Sequence, residues 1–530
     1  MKDRFSTPFP PLQHLLQLLG YPAPGGIAAS SGELYGDAFF GRDSAEVAED
    51  LVPFDSILPR RIIHDLVRYQ GSRNVERGNG STEEEFGKIH HECRILPYDP
   101  LQPAQADSRF RDMWSHWGGV GRKLVYYGSV DATPLFVRLV ASYVGIWGRD
   151  VLDDVIATDA GEHVTVMEAV ERAVSWIEGK LEESSLGLVE FDRRNPHGIA
   201  NQGWKDSLSA YLHEDGTLSN DRAPLASVEI QGLAYDALVG AAELVGSDDA
   251  RASGWNCLAD QIRDHVLEWF WIPEYRYFAQ AIDRDPFGVP RLVRTMTSNA
   301  GVLLRSRLFD RLPVSERQKY VHPVARRIVG KEFLTDAGIR CRALKYAALK
   351  RYYDYHGSCA VWPKETYDIA CGLRHQGYPA LARAVETRLL NAINIAGHAM
   401  ELFYVDAAGV VAYAVERTEA PVTFNERVGT RVIAGTNIPE GEQAWTVSAA
   451  LAVKYRISHE PLPSPQSRGE AELLGSIPSQ PLLAAREDIQ EVRRRQPRIL
   501  LNTSAGKSMS RVDNRRRNGI QPLGIWEIGA

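Results

Sequence analysis

Two carboxyl groups in apolar or aromatic surroundings are the best candidates for chemistry in this sequence. Asp206 follows Trp204 in a Gly-Trp-Lys-Asp-Ser segment, and Glu401 lies in an apolar Met-Glu-Leu-Phe segment. Burial beside an indole raises the pKa of a carboxylic acid, whereas the ammonium of Lys205 would lower that pKa if it pointed at Asp206. A protonated carboxyl group and an ionised one can act together as general acid and general base.

Other carboxylates leave these two assignments open. Taken alone, Glu401 would more often be a surface or capping residue. Glu426 and Glu442 are its rivals for a base role. Asp43 and Asp131 stand in loops before helical patterns, where an aspartate commonly caps a helix. The same two side chains are also suited to accept hydrogen bonds from sugar hydroxyls.

Aromatic side chains are frequent between the helical patterns. The chain has 11 Trp residues, and the predicted loops contain Trp114, Trp117, Tyr126, Tyr127, Trp204, Trp271, Trp362 and Trp445. Sugar rings present apolar C–H faces that stack on such rings, although a loop Trp more often packs internally. Carboxylates beside loop aromatics therefore favour glycoside hydrolysis. The sequence shows no His/Cys ligand cluster with zinc spacing.

Helical periodicity dominates residues 120–457, which contain most of these candidates. Val166, Val170, Ala173 and Val174, for example, fall on one stripe at helical spacing. Strands that alternate with the helices are hard to find, which argues against a doubly wound sheet or a sheet barrel. The sequence predicts an all-α fold, an α/α toroid with an inner ring of helices inside an outer ring. Long loops at one end would form the site.

Composition and charge exclude several classes of protein. The 530 residues are 44% hydrophobic and 24% charged with a net charge of -7, which is typical of a globular protein and not of a nucleic-acid-binding polycation. No apolar run reaches the roughly 18 residues needed to span a bilayer, and the N-terminal Leu-rich patch is a poor signal-peptide core. The five cysteines form no CxxC pair and are interpreted as reduced thiols. We expect a cytoplasmic protein without nucleic-acid or membrane partners.

The two ends differ from the middle in composition. Residues 1–38 are rich in Pro and Gly and are predicted to be a lead-in to a catalytic domain at 39–457. Residues 458–530 are predicted to be an extension, partly disordered or packed on the barrel, with nine Lys/Arg against two Asp/Glu from Arg493 onward. Folding is expected to survive the loss of residues beyond about 460.

Several sequence blocks occur in an order typical of a known family. They are FFGRDS (39–44), FGKIHHECR (86–94), YYGSVDATPLFV (126–137), NQGWKDS (201–207), PLASVEIQGLAYDAL (224–238), FWIPEYRYFAQAID (270–283), TSNAGVLL (297–304), VWPKETYDIACGL (361–373), MELF (400–403) and EQAWTVSAA (442–450). Together they resemble the amylo-α-1,6-glucosidase (glycogen debranching enzyme) family and related six-hairpin glycosidases, over roughly four-fifths of the chain.

This resemblance implies an (α/α)6 barrel and an inverting α-glucosidase mechanism that needs no cofactor. By motif matching, Asp206 would be the general acid and Glu401 the general base. The residues expected to bind the sugar are Arg42, Asp43, Tyr127, Asp131, Trp204, Lys205, Glu229, Gln231, His356 and Trp362.

Departures from the family pattern leave the substrate open. Met400 replaces the proline of the family's usual Pro-Glu-Leu-Phe, and Lys364-Glu365 replaces an expected His-Asp pair. Family members often carry a β-sandwich before the catalytic barrel, whereas fewer than 40 residues precede FFGRDS in this sequence. The expected substrate is an oligosaccharide or a small glucoside, and the oligomeric state stays open. A lyase, epimerase or phosphorylase on the same fold and a non-catalytic carbohydrate-binding protein are the alternatives.

Overall fold

The structure is a computed structural model. It describes residues 27–30, 35, 38–102, 108–207, 209–220, 223–349, 355–405, 407–409, 411–412, 439 and 442–477. Most of the predicted lead-in, the basic end of the predicted extension and the candidate base Glu426 lie outside these residues. The three predicted domain ranges therefore stay predictions.

Helices are the main secondary structure, which confirms the helix-rich character predicted from the sequence. They are α1 (Gly41–Leu51), α2 (Ile57–Arg68), α3 (Ser108–Trp117), α4 (Ala132–Trp147), α5 (Val166–Glu183), α6 (Val228–Val245), α7 (Ala250–His265), α8 (Asn299–Leu303), α9 (Val314–Ile328), α10 (Pro363–His375), α11 (Pro379–Ala396), α12 (Ala444–His459) and α13 (Arg468–Ser476).

Short strands lie between the helices, which the sequence analysis did not predict. They are β1 (Ala38–Phe40), β2 (Glu92–Ile95), β3 (Lys123–Tyr126), β4 (Val155–Ala157), β5 (His163–Thr165), β6 (Ala226–Ser227), β7 (Trp271–Ile272), β8 (Tyr277–Phe278), β9 (Ala281–Arg284), β10 (Pro290–Val293), β11 (Ala360–Val361), β12 (Phe403–Val405) and β13 (Val411–Ala412). Antiparallel pairing gives small sheets in the orders β1-β2-β3, β10-β9-β6 and β11-β12-β13, besides the pairs β4-β5 and β7-β8. Strands of two to four residues are too short to show alternation in a sequence.

The order of contacts between helices is closed. Within the described residues, α1 packs on α4, α4 on α6, α6 on α8, α8 on α10, α10 on α12, and α12 packs back on α1. A second set lies against this ring: α2 packs on α1, α5 on α4, α7 on α6, α9 on α8 and α11 on α10. The six helices of this closed order, α1, α4, α6, α8, α10 and α12, are called the ring helices below.

The sequence explains why α5 and α6 occupy different positions. Helix α5 begins with a capping box: the Thr165 side chain accepts a hydrogen bond from the Glu168 N–H, and the Glu168 carboxylate accepts one from the Thr165 N–H. Only one face of this helix is buried. Helix α6 is buried over nearly its whole length, so it suits the ring. A Cβ atom at Gly240 would lie 2.9 Å from Cβ of Ala141, so glycine lets α6 approach α4 closely.

The periodicity of TSNAGVLLRSRLF (297–309) predicts one helix over this segment, and helix α8 is shorter. It ends at Leu303, and a 3-10 turn follows at Arg307–Phe309. The Asp236 carboxylate accepts hydrogen bonds from the Ser306 hydroxyl and the Arg307 N–H, each at 2.9 Å. These long-range bonds hold the backbone in a turn in place of a further helical turn.

Helix α13, in the predicted extension, is attached to the second set of helices. Helix α13 packs on α11, and the buried Glu470 carboxylate accepts the backbone N–H groups of Ala380 at 2.6 Å and Leu381 at 3.2 Å. A carboxylate at this position satisfies free donors at the start of α11. No helix among the described residues is long and apolar enough to cross a membrane.

Candidate active site

All six ring helices contribute residues to one cavity, most of them from the first two turns of a helix. Its empty space is about 580 Å³, part of it open to solvent. Every ring helix lines it: Glu46 of α1, Leu135 of α4, Glu229 of α6, Val302 of α8, Glu365 of α10 and Trp445 of α12. The cavity therefore lies where the N-terminal ends of the ring helices meet.

Tight connections place the side chains at these helix starts. A Cβ atom at Gly41, the first residue of α1, would lie 2.2 Å from the His90 carbonyl oxygen, so only glycine fits. This close approach places Arg42 and Asp43 in the first turn of α1. The loop that carries Asp206 is closed by a 2.7 Å hydrogen bond from the Asn201 amide to the Ser207 carbonyl.

One guanidinium group faces three carboxyl groups in the Arg42 cluster, which comprises Arg42, Asp43, Asp131 and Asp206. Arg42 Nη1 donates to Asp131 Oδ2 at 3.2 Å, and Arg42 Nε lies 3.7 Å from Asp43 Oδ2. The charge of Arg42 also acts on Asp206. Asp131 accepts a further hydrogen bond from the Ser129 hydroxyl at 2.6 Å. The arrangement has more carboxyl groups than cations.

The pKa values of Asp206 and Asp43 are raised, and burial is the largest cause in both cases. Burial raises the pKa of Asp206, and neither Arg42 nor the Tyr355 hydroxyl offsets the effect. Burial likewise raises the pKa of Asp43 to about 6, although Arg42 opposes it, and the charges of Asp131 and Asp206 add to the rise. A buried carboxyl group with a raised pKa is suited to hold a proton near neutral pH.

Tyr355 is a site residue that sequence reasoning missed. Its hydroxyl donates to Asp206 Oδ1 at 2.8 Å, across 149 positions of sequence. Burial raises the pKa of Tyr355, and the charges of Asp206 and Glu401 raise it further, so Tyr355 lies within electrostatic range of both carboxyl groups. The only signal in the sequence is the aromatic-rich segment RYYDYHG, next to the predicted site residue His356.

The candidate bases occupy different environments. Glu401 is half-buried and lies just before β12, which pairs with β11 ahead of α10. The charge of Glu401 acts on the Tyr355 hydroxyl, so Glu401 lies within electrostatic range of Tyr355. Glu442 Oε1 lies 2.9 Å from Nδ1 of the half-exposed His398, so its carboxylate belongs to a partly solvated pair.

An aromatic wall forms one side of the site. His356 stacks on Trp362 with ring centroids 5.1 Å apart, and Trp204 meets Trp362 edge-on at 5.6 Å. Trp445 meets the same Trp362 ring at 5.5 Å from another direction. Trp117, another of the aromatic residues on which a sugar could stack, packs on Tyr126 in a separate apolar cluster.

Several predicted sugar-binding residues are hydrogen bonded to the protein itself. The Gln231 amide donates to the carbonyls of Val189 and Ser227 at 2.8 and 3.0 Å. The Tyr127 hydroxyl donates to the Tyr69 carbonyl at 3.0 Å. Both side chains therefore support the backbone around the cavity.

The Lys205 ammonium is likewise hydrogen bonded to groups of the protein itself. Its side chain is fully buried, and its ammonium donates to Ser298 Oγ at 2.6 Å, Asn299 Oδ1 at 2.8 Å and the Cys341 carbonyl at 3.1 Å. Glu365 Oε1 lies 3.1 Å from the same ammonium. The cation that acts on Asp206 is Arg42, and the Lys205 ammonium is bound to Glu365 and its neighbours instead.

Other polar groups at the cavity are available to a ligand. Glu229 lines it with a carboxyl group whose pKa is raised by burial, and the Ser227 hydroxyl donates to this group. Trp445 Nε1, whose residue also lines the cavity, has no hydrogen-bond partner among the described residues, and neither has Nε2 of His356, which stacks on the cavity-lining Trp362. Buried polar groups of this kind are normally satisfied, so they are suited to a polar ligand. Over the same residues, no group of His, Cys, Asp and Glu is arranged to hold a metal ion.

Comparisons with known proteins give a limited likeness. No protein-family model and no curated protein matches the chain. Two solved structures of GH63 mannosylglycerate hydrolase from Thermus thermophilus each match over 84% of this chain and 98% of that chain, with a TM-score of 0.49. The sequence identity is 15% for the structure in complex with Tris and 16% for the structure in complex with glucose. An uncharacterized conserved protein from the same organism matches over the same shares at 15% identity and a TM-score of 0.46. The chain is similar to these proteins at a level that identifies it with none of them.

Proposed function

We propose that this protein is an inverting, exo-acting glycoside hydrolase that cleaves α-linked glucosides. The observation that carries the proposal is Asp206, a buried carboxyl group of raised pKa that lies two residues after Trp204, a cavity-lining member of the aromatic wall. The ordered sequence blocks that resemble the amylo-α-1,6-glucosidase family support the same reaction. Its substrate is an oligosaccharide or a small glucoside.

The fold that we propose is the (α/α)6 toroid. The closed order of contacts among the ring helices supports an inner ring, and the helices packed against them support an outer ring. In such a toroid the loops and helix starts at one end form the active site, which agrees with the position of the cavity.

In the proposed mechanism Asp206 is the general acid. It holds its proton because it is buried, and it transfers that proton to the leaving glycosidic oxygen as the C–O bond breaks. The Tyr355 hydroxyl holds the carboxyl group in place and stabilises the carboxylate that forms, since its hydrogen bond favours the ionised state.

Glu401 is the proposed general base. It removes a proton from a water molecule that attacks the anomeric carbon from the opposite face, so an α-linked glucoside releases β-glucose. Inversion requires the carboxyl groups of Asp206 and Glu401 to be roughly 6.5–9.5 Å apart when substrate is bound. We expect Trp204 and Trp362 to stack on the sugar, and Arg42 and Asp131 to bind its hydroxyls.

The test is product release from a panel of isomaltose, maltose, trehalose, kojibiose, glucosylglycerate and a limit dextrin. Wild type is compared with Asp206→Asn and Glu401→Gln, and NMR identifies the anomer first released. We expect β-glucose from the wild type and a loss of about 10²–10⁴-fold in kcat for each variant. Glu442→Gln is the matched control, because its carboxylate is paired with His398, and it should retain activity.

Other results would contradict parts of the proposal. Full turnover by Glu401→Gln would move the base to Glu442 or Glu426. Turnover that requires inorganic phosphate would indicate a phosphorylase, and an unsaturated or epimerised product would indicate a lyase or an epimerase. Sugar binding without turnover of any substrate would indicate a non-catalytic carbohydrate-binding protein.

A further inference from the structure

Lys205 is a buried cation for which the proposed mechanism has no use. Its side chain is fully buried, and three oxygen acceptors surround its ammonium: Ser298 Oγ, Asn299 Oδ1 and the Cys341 carbonyl. Among the described residues its ion-pair partner is the carboxylate of Glu365, at 3.1 Å. Burial of a charge is costly unless the charge is paired and hydrogen bonded, and this site meets both conditions.

These contacts connect the loop of the proposed acid to two ring helices. Ser298 precedes the first residue of α8, and Glu365 lies in the first turn of α10. The Ser298 hydroxyl is also hydrogen bonded to Glu365, so the three side chains form one unit. Lys205 therefore holds its own loop against the starts of α8 and α10.

We infer that Lys205, through its ion pair with Glu365, is the positioning residue that fixes Trp204 and Asp206 relative to the cavity. The inference rests on the proposed function. Lys205 stands between these two residues in sequence, and its ammonium lies 5.1 Å from the centre of the Trp204 ring. Immobilising one residue of a three-residue segment restrains the indole on one side and the carboxyl group on the other.

Positioning and direct electrostatics predict opposite effects on the acid. If Lys205 acted on Asp206 mainly by its charge, its removal would raise the pKa of Asp206 and move the basic limb of kcat/KM to higher pH. If Lys205 acts by positioning, its removal lets Asp206 become better solvated, and the basic limb moves to lower pH. Arg42, not Lys205, is the leading cation that acts on Asp206.

The central variant is Lys205→Met combined with Glu365→Gln, which removes both charges and leaves no unpaired ion in the core. Its melting temperature is expected to fall moderately, because Asn299 Oδ1 and the Cys341 carbonyl lose the donor that Lys205 supplies. Its kcat should fall by roughly 10²-fold, because a misplacement of about 1 Å has that effect on an enzyme, with a smaller change in KM. The basic limb should move to lower pH.

Two further variants keep the test decisive. Ser298→Ala removes one acceptor of Lys205 and keeps both charges, so it should fold even if the double variant does not, with smaller changes in the same directions. Lys88→Met is the matched control, because Lys88 is also buried and its ammonium lies 3.2 Å from Glu85 Oε1 outside the site. The pH profile of Lys88→Met should be that of the wild type.

Hydrogen exchange over residues 201–212 gives a readout that does not depend on activity. Exchange should be faster than wild type in the double variant and in Ser298→Ala, and unchanged in Lys88→Met. Unchanged exchange, an unchanged kcat or a basic limb at higher pH would each overturn the inference. If the wild type hydrolyses no glycoside, the proposed function fails, and the exchange result still decides whether Lys205 positions the loop.

Discussion

The Arg42 cluster and a second buried charge cluster around Glu85 have opposite balances of charge. In the Glu85 cluster, the carboxylate lies 3.2 Å from the ammonium of Lys88, 2.6 Å from that of Lys180 and 3.2 Å from the guanidinium of Arg194. Burial there would raise the pKa of Glu85, but the three cations outweigh it and lower the pKa to about 2. In the Arg42 cluster a single cation faces three carboxyl groups, and the pKa of Asp43 rises to about 6.

This comparison teaches that burial alone does not decide what a carboxyl group can do. Glu85 and Asp43 are both 6% exposed, yet their pKa values move in opposite directions. An excess of cations makes a carboxylate a permanent structural anion. An excess of carboxyl groups makes proton uptake possible near neutral pH, which general acid catalysis requires.

The largest expected contrast is between activity and stability at Asp206. Asp206→Asn should reduce kcat by about 10²–10⁴-fold, because it removes the proton donor. The free energy of unfolding at pH 7 should not fall, because burial already disfavours the ionised carboxylate. Initial rates and urea denaturation measure the two effects. A large loss of stability would place Asp206 with the structural carboxylates.

Glu85→Gln should give the reverse pattern. Removing one partner of a buried ion cluster costs about 3–5 kcal/mol of unfolding free energy, because cations are left unpaired. The pKa of Glu85 is lowered, so its contribution is present above about pH 4.5 and is lost as the pH falls towards about 2. Urea denaturation at pH 7 measures the loss. A shifted pH profile of kcat/KM at unchanged stability would contradict the structural role.

Asp43→Asn tests the opposite linkage. The pKa of Asp43 is raised from 3.8 to about 6, so its contribution to stability is fully present below pH 3.8 and is lost as the pH rises through about 6. Asp43→Asn should therefore increase the free energy of unfolding by about 3 kcal/mol at pH 7 and by nothing near pH 3.5. Unfolding of both proteins across this pH range is the measurement. An equal effect at both pH values would show that the ionisation of Asp43 is not the cause.

Tyr355→Phe should have the smallest effect. The lost hydrogen bond favours ionised Asp206, so kcat should fall by about tenfold, which corresponds to about 1.4 kcal/mol. The pKa of Asp206 should rise further, and the basic limb of kcat/KM should move to higher pH. A limb that moves to lower pH would show that Tyr355 acts only by excluding water from Asp206.

Local sequence signals predicted more of the helices than of the site. Long amphipathic segments such as α5 were predicted because their stripe is local. Helix α8 was predicted too long, because Asp236, some 70 residues away, ends it. Tyr355 was missed because its only signal is a run of aromatic residues, whereas its role depends on a hydrogen bond across 149 positions.

The sequence by itself determined the helix-rich class and the residue types of the site, because periodicity and motifs are properties of neighbouring residues. Only the tertiary structure decided how these groups are paired. It directed Lys205 to Glu365 and Ser298, and left Arg42 to face Asp206. The sign of a pKa shift depends on burial and on charges that lie far apart in sequence, so no local pattern contains it.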